Sequence, residues 1–98
     1  MKTIHLGIIG VGWCGGIRAE TAAKNPLIAS LHLAETNPER LLQLKQTVKA
    51  QTYTDDYKKL IDNPAIDAIV ISATPESTHY PMARDALSSG KHVFLEKN

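Results

Sequence analysis

The feature that most constrains the fold of this chain is a run of β-forming residues that ends in closely spaced glycines. The segment 4–9 has the composition of a strand buried on both faces, which is typical of a parallel sheet. Gly10, Gly12 and Gly15 follow with the spacing G-x-G-x-x-G, and a helical pattern begins directly after them. A strand, this spacing and a helix, in that order, favour a site for a dinucleotide.

Each glycine of this loop has a physical reason to lack a side chain. Gly10 permits a tight turn, Gly12 lets the backbone approach a pyrophosphate, and Gly15 lets the helix pack close to the strand. The unpaired N–H groups and the dipole at the helix start would hold the negative charge. Val11 and Trp13 lie within the loop and are predicted to border the same ligand, with the alternative that Trp13 covers an open edge. The alternative is a tight strand–helix turn that binds nothing.

A carboxylate follows the second predicted strand at the distance that this kind of site requires. The strand covers 27–34 and ends in Glu35, twenty positions after Gly15. An acid at this strand end accepts hydrogen bonds from the adenine-ribose hydroxyls. It would also repel a 2′-phosphate, so Glu35 favours NAD over NADP. Two alternatives stay open: Glu35 is only a solvated strand-end charge, or NADP is used and Arg40 contacts its phosphate.

The rest of the chain alternates between helices and strands. Four helices are predicted. They cover 14–24, the segment from an Asn37 cap to about Val48, a short segment after a Thr54–Asp56 cap, and the segment from about Thr78 to Gly90. Three further strands are predicted over 50–53, 66–73 and 92–95. This alternation predicts an α/β fold with a doubly wound parallel sheet in the order 3-2-1-4-5. Ligands in such sheets lie at the carboxyl ends of the strands, where the order reverses. The glycine loop, Glu35, the loop 74–79 and Glu96-Lys97 all fall at such ends.

Composition narrows the classes of function. A length of 98 residues allows one domain, and a net charge of +1 without a basic run argues against nucleic acid as a partner. The single cysteine excludes an internal disulfide, and the four histidines and the acids lack metal-ligand spacing, so no metal is predicted. His5 and His32 fall within strands and are expected to be solvated or hydrogen-bonded. The apolar runs are too short to cross a bilayer, so a cytoplasmic location and no membrane partner are expected.

Taken together, several stretches resemble one known family. The chain is similar to the N-terminal NAD(P)-binding Rossmann domain of the Gfo/Idh/MocA oxidoreductases, the glucose–fructose oxidoreductase and inositol dehydrogenase group. The matching stretches occur in family order over nearly the whole chain: Gly10–Gly15, Ala34–Arg40, Asp67–Ile71, Ala73–Pro75 with His79, and Gly90–Lys97.

The resemblance implies an NAD(P)-dependent dehydrogenase that acts on sugars, polyols or related alcohols. It implies that the cofactor is bordered by the residues of two further loops: Thr36, Ala73, Thr74, Pro75 and His79. It implies a catalytic role for Lys97 near the nicotinamide and the reacting hydroxyl, with Glu96 holding that lysine. A cation there favours a developing alkoxide. The family motif is Glu-Lys-Pro, whereas this chain has Asn98 at the third position.

The family also continues beyond the matching stretches, into the rest of the nucleotide domain and a substrate domain. Residues 1–98 are therefore expected to form the N-terminal portion of a Rossmann domain, truncated before its final strand, with the C-terminal substrate domain absent. Such a chain would bind cofactor without turnover, and its uncovered sheet edge would favour self-association. The alternative is a free-standing NAD(H)-binding sensor or interaction module.

Overall fold

The computed structural model describes residues 3–10, 13–72 and 79–95, which form a parallel sheet flanked by helices. The strands are β1 Ile4–Ile9, β2 Ile28–Ala34, β3 Thr52–Thr54, β4 Ala68–Ile71 and β5 His92–Leu95. The helices are α1 Trp13–Lys24, α2 Pro38–Thr47, α3 Lys58–Ile61 and α4 His79–Ser88. The sheet order is β3-β2-β1-β4-β5, which confirms the predicted α/β fold and strand order. Among the described residues, no helix has the length and apolar character needed to cross a membrane.

The apolar core is divided between the two faces of the sheet. Successive side chains of a strand point to opposite faces. Ile8 accordingly packs in a cluster with Leu33 of β2 and Leu44 of α2, while Ile9 packs in a second cluster with Ile69 of β4. The second cluster also receives side chains from α3 and α4. Burying each such aliphatic side chain contributes about 1.5–3 kcal/mol, so both faces stabilise the central strands.

Gly7 lies in the middle of β1, where a side chain would crowd two neighbouring side chains. A Cβ atom at this position would lie 2.9 Å from Cδ1 of Ile69 and 3.0 Å from Cδ2 of Leu60. Both of those side chains are fully buried in the core. Gly7 is therefore a packing residue, separate in purpose from the glycines that follow the strand, and the sequence pattern did not reveal its role.

Three strands differ from their predicted bounds. The second strand was predicted over 27–34 but begins one residue later, at Ile28. The third strand was predicted over 50–53 but is Thr52–Thr54, because the hydroxyl of Tyr53 donates to the Val48 carbonyl and accepts from the Ala50 N–H. These bonds bend the chain between α2 and β3. The fourth strand is limited to Ala68–Ile71 in the described part of the chain, where the predicted range was 66–73. The predicted cap of α2 is confirmed: the Asn37 side chain accepts from the N–H groups of residues 39 and 40.

Lys91 is a buried cation that holds two connections together. Its side chain is 7% exposed, and its Nζ donates to the carbonyls of Asn63 at 2.7 Å and Ile66 at 2.9 Å. Burial lowers the pKa of Lys91, while Asp67 and Asp62 act in the opposite direction. The lysine thus ties the connection before β4 to the start of β5. Although it falls within a stretch that carries the family resemblance, its bonds are those of a structural residue.

Candidate dinucleotide-binding site

The carboxyl ends of three neighbouring strands form the candidate site. In the sheet, Ile9 of β1 lies beside Ala34 of β2 on one side and Ile71 of β4 on the other. The residues that follow these strands, Gly10, Glu35 and Ser72, are consequently brought to one edge of the sheet. This edge includes the carboxyl ends of β1 and β4, between which the strand order reverses. Open α/β sheets bind their ligands at that position.

Gly10 has the backbone conformation that the glycine motif predicts. Its φ is +81°, in the left-handed region that glycine adopts without steric cost. Its N–H donates to the Ala34 carbonyl at 2.9 Å, and its carbonyl accepts from the Ser72 hydroxyl at 2.8 Å. The helix α1 begins at Trp13, and its first turn contains no acidic residue. The unpaired N–H groups at such a helix start favour an anion, and no carboxylate of that turn opposes one.

Glu35 is half-buried and anchored at the end of β2. Its N–H donates to the Thr54 carbonyl at 2.9 Å, and its Oε2 accepts from the Asn37 N–H at 2.9 Å. A carboxylate has lone pairs for about four hydrogen bonds, so this one bond orients the group while leaving it capacity for a ligand. Thr36 is exposed beside it. Arg40, the alternative phosphate ligand, donates to the Gln43 side chain within α2 at 3.2 Å.

The structure describes only part of the predicted site. Gly10, Glu35 and Thr36 lie at the carboxyl edge, Trp13 and Gly15 belong to the first turn of α1, and His79 is the first residue of α4. The other predicted site residues lie outside the described part of the chain: Val11, Gly12, Ala73, Thr74, Pro75, Glu96 and Lys97. Ser72 was missed by the sequence reasoning. The available signal was a polar residue that ends an otherwise apolar strand at this edge.

The two strand histidines belong to a different part of the sheet. His5 Nδ1 lies 2.7 Å from Ser30 Oγ, Ser30 Oγ lies 2.9 Å from His32 Nε2, and His32 Nδ1 lies 2.8 Å from Thr52 Oγ1. This row across β1, β2 and β3 bears out the expectation that the histidines are hydrogen-bonded. Within the described ranges, no group of three histidine, cysteine or acidic side chains could hold a metal ion.

The row makes folding stability depend on pH. His32 is 5% exposed, and burial, followed by the nearby His5, lowers its pKa below the ordinary 6.5. The unfolded chain then binds protons more readily, so stability is fully present above about pH 6.5 and is lost as the pH falls toward the lowered pKa. We expect the melting temperature of the wild type to fall between about pH 8 and about pH 5 more steeply than that of His32→Asn.

Circular dichroism melts over this range would measure the difference. His92→Asn is the matched control, because His92 is exposed at the start of β5 and lies outside the row. Equal pH slopes for the wild type and His32→Asn would contradict a contribution from the buried imidazole.

Comparison with known proteins identifies the family. The profile of Gfo/Idh/MocA, an oxidoreductase family with an NAD-binding Rossmann fold, matches residues 4–97. The chain belongs to the Gfo/Idh/MocA oxidoreductase family. This confirms the resemblance found in the sequence, and the fold described above is the NAD-binding fold of that family.

Several relatives are named as dehydrogenases of polyols or sugars, and others are named as glycosidases, such as the alpha-N-acetylgalactosaminidase of Shewanella oneidensis, which is 33% identical over 98% of this chain and 23% of its own length. The myo-inositol 2-dehydrogenase of Thermotoga maritima is 27% identical over 96% of this chain and 28% of its own length. Another relative is scyllo-inositol dehydrogenase from Lactobacillus casei, whose structure contains bound NAD(H) and scyllo-inositol. It matches with a TM-score of 0.86 and 32% identity, over 98% of this chain and 28% of its own length. A levoglucosan dehydrogenase in complex with NADH and levoglucosan has a TM-score of 0.85 and is 29% identical, with the same coverages. The chain therefore spans less than a third of the length of these relatives.

Proposed function

We propose that this chain is the NAD(H)-binding part of an oxidoreductase that transfers a hydride between the nicotinamide and a sugar, polyol or related alcohol. The observation that carries the proposal is the meeting of Gly10, the start of α1 and the Glu35 carboxylate at neighbouring strand ends. Family membership supports it, as do two relatives with NAD(H) and a polyol or anhydrosugar bound.

The described residues fit the two charged or polar parts of the cofactor that such a site must recognise. The diphosphate suits the loop 10–15, since Gly10 makes the turn and the first turn of α1 offers N–H groups without a competing carboxylate. The adenine ribose suits Glu35, which is held at the strand end by its bond to Asn37. Like charges repel, so this carboxylate favours NAD over NADP with its additional phosphate.

The remaining roles in the proposal follow the family. When bound, NAD supplies the group that accepts or donates the hydride. The loops with Thr36 and with residues 73–75, together with His79, border the cofactor, and Glu96 orients Lys97. The Lys97 ammonium favours the alkoxide form of the reacting hydroxyl and helps its proton to leave. Substrate binding is assigned to the part of the relatives' length that this chain does not match, so the 98 residues alone are expected to bind cofactor without turnover.

Removing the Glu35 carboxylate tests the proposal. Glu35→Ala should weaken NADH binding by about 10- to 100-fold, because hydrogen bonds to a charged group contribute about 1.5–3 kcal/mol. Glu35→Gln should also weaken it, and this variant keeps an oxygen that can accept from the Asn37 N–H. Isothermal titration calorimetry with NADH and NADPH would measure both, and discrimination against NADPH should fall in the variants.

Glu39→Ala is the matched control, because Glu39 is an exposed acid in the first turn of α2, outside the proposed contact. Unchanged NADH affinity in both Glu35 variants would remove the ribose role. A wild type that binds no NADH would count against the proposal as a whole. Production of NADH from NAD and myo-inositol by the 98 residues would contradict the expectation of binding without turnover.

We also propose that two copies of the chain associate through β5. This strand ends the described sheet, and Phe94 and Leu95 on it are 59% and 57% exposed. An edge strand with exposed apolar side chains is prone to pair with another chain. Sedimentation velocity should detect a dimer that Phe94→Lys dissociates and Leu42→Lys does not, since Leu42 is equally exposed but lies on α2. A monomeric wild type at every concentration would exclude this contact.

A further inference from the structure

Ser72 joins the two strands between which the sheet order reverses. It follows β4 directly and is buried. Its N–H donates to the Ile9 carbonyl at 2.9 Å, which continues the pairing of β4 with β1 by one residue. Its hydroxyl donates to the Gly10 carbonyl at 2.8 Å. Burying a hydroxyl is unfavourable unless it is hydrogen-bonded, and here the partner is the first residue of the glycine loop.

The bond from the Ser72 hydroxyl adds a second restraint to a residue with unusual backbone freedom. Glycine has more backbone freedom than any other residue, and Gly10 occupies the left-handed region. Its N–H is held by Ala34 of β2, and its carbonyl is held by Ser72 from the side of β4. Because the peptide unit is planar, fixing this carbonyl fixes the plane of the peptide bond that leaves Gly10 and begins the loop.

We propose that Ser72 is a positioning residue for the cofactor diphosphate, acting through the Gly10 carbonyl. The inference rests on the proposed NAD(H)-binding function, in which the glycine loop receives the diphosphate. A loop that is ordered before binding loses less entropy when the ligand arrives, so the hydroxyl raises affinity without touching the cofactor. Ser72 also directly precedes the residues 73–75 of the proposed cofactor border, so one side chain links the chain segments on both sides of the switch point.

Calorimetry on the full chain tests the inference with two ligands that carry a diphosphate, NADH and ADP. Ser72→Ala should raise the Kd of both by about fivefold, the factor that corresponds to one hydrogen bond. Ser72→Thr keeps the hydroxyl and should restore most of the affinity. Ser89→Ala is the matched control: the Ser89 hydroxyl also donates to a backbone carbonyl, that of Asp85 at 3.0 Å, but it is exposed beyond the end of α4.

A second measurement needs no ligand. Amide hydrogen exchange at residue 11, whose N–H shares a peptide unit with the Gly10 carbonyl, should become faster in Ser72→Ala and stay unchanged in Ser89→Ala, because only the first variant releases that peptide unit. Equal Kd values for wild type and Ser72→Ala would overturn the inference. A loss of affinity for NADH without a loss of affinity for ADP would also overturn it, because the effect would then lie at the nicotinamide end of the cofactor. A wild type that binds neither ligand would overturn the proposed function and, with it, this role of Ser72.

Discussion

Replacing Gly7 by valine is expected to destabilise the folded chain by about 3 kcal/mol, the upper part of the usual range for overpacking a core. A Cβ at this position already comes within 2.9 Å of Ile69 and 3.0 Å of Leu60, and valine adds two methyl groups beyond it. Both neighbours are fully buried, so neither can swing into solvent. For a domain of this length, the melting temperature should fall by roughly 15 °C.

A double-mutant cycle would attribute this loss to the specific contact. Leu60→Ala alone should destabilise the chain, because it leaves a cavity against α3. Combined with Gly7→Val, it should cost less than the sum of the two single changes, since the valine methyl groups then occupy space that Leu60 vacated. Additive losses measured by urea denaturation would show that the crowding lies elsewhere.

Replacing Gly12 by valine is expected to abolish NADH binding that calorimetry can detect. In the glycine motif this position lets the backbone approach the pyrophosphate, and a branched side chain would occupy the space of the ligand. The expectation follows from the motif and from the two ends of the loop, the turn at Gly10 and the start of α1 at Trp13.

Gly90→Val separates binding from stability. Gly90 has a φ of +79° at the end of α4, and a Cβ there would meet no atom within 4 Å. A side chain in the left-handed region is strained, so this variant should melt at a lower temperature yet keep its affinity for NADH. Gly12→Val should instead keep its melting temperature and lose its affinity for NADH. Retained NADH affinity in Gly12→Val would refute the assignment of the loop.

The sequence predicted what depends on local pattern. Continuous apolar runs separated by helical stretches predict a doubly wound parallel sheet, and the order found is the one expected for that class of fold. The turn at Gly10 follows from a glycine that directly ends a strand. Glu35 was found at the end of β2 because the motif specifies a distance along the chain. These signals lie within one element or between successive elements, where spacing in sequence determines spacing in the fold.

The contacts that the sequence did not predict join residues far apart in the chain. Ser72 bonds to Gly10 across 62 positions, and Lys91 bonds to carbonyls 25 and 28 positions away. The crowding around Gly7 comes from Ile69 on another strand and Leu60 on a helix. Periodicity indicates which face a side chain occupies, but the partner on that face depends on strand register and on how each helix packs.

The anchoring of Lys91 has a consequence for how the folded chain opens. Its ammonium donates hydrogen bonds to the carbonyls of Asn63 and Ile66. It thereby links the segment before β4 to the residue directly before β5. Detachment of either the segment before β4 or β5 breaks both hydrogen bonds of the ammonium at once. We therefore expect the amino-terminal ends of β4 and β5 to open together, as one cooperative unit.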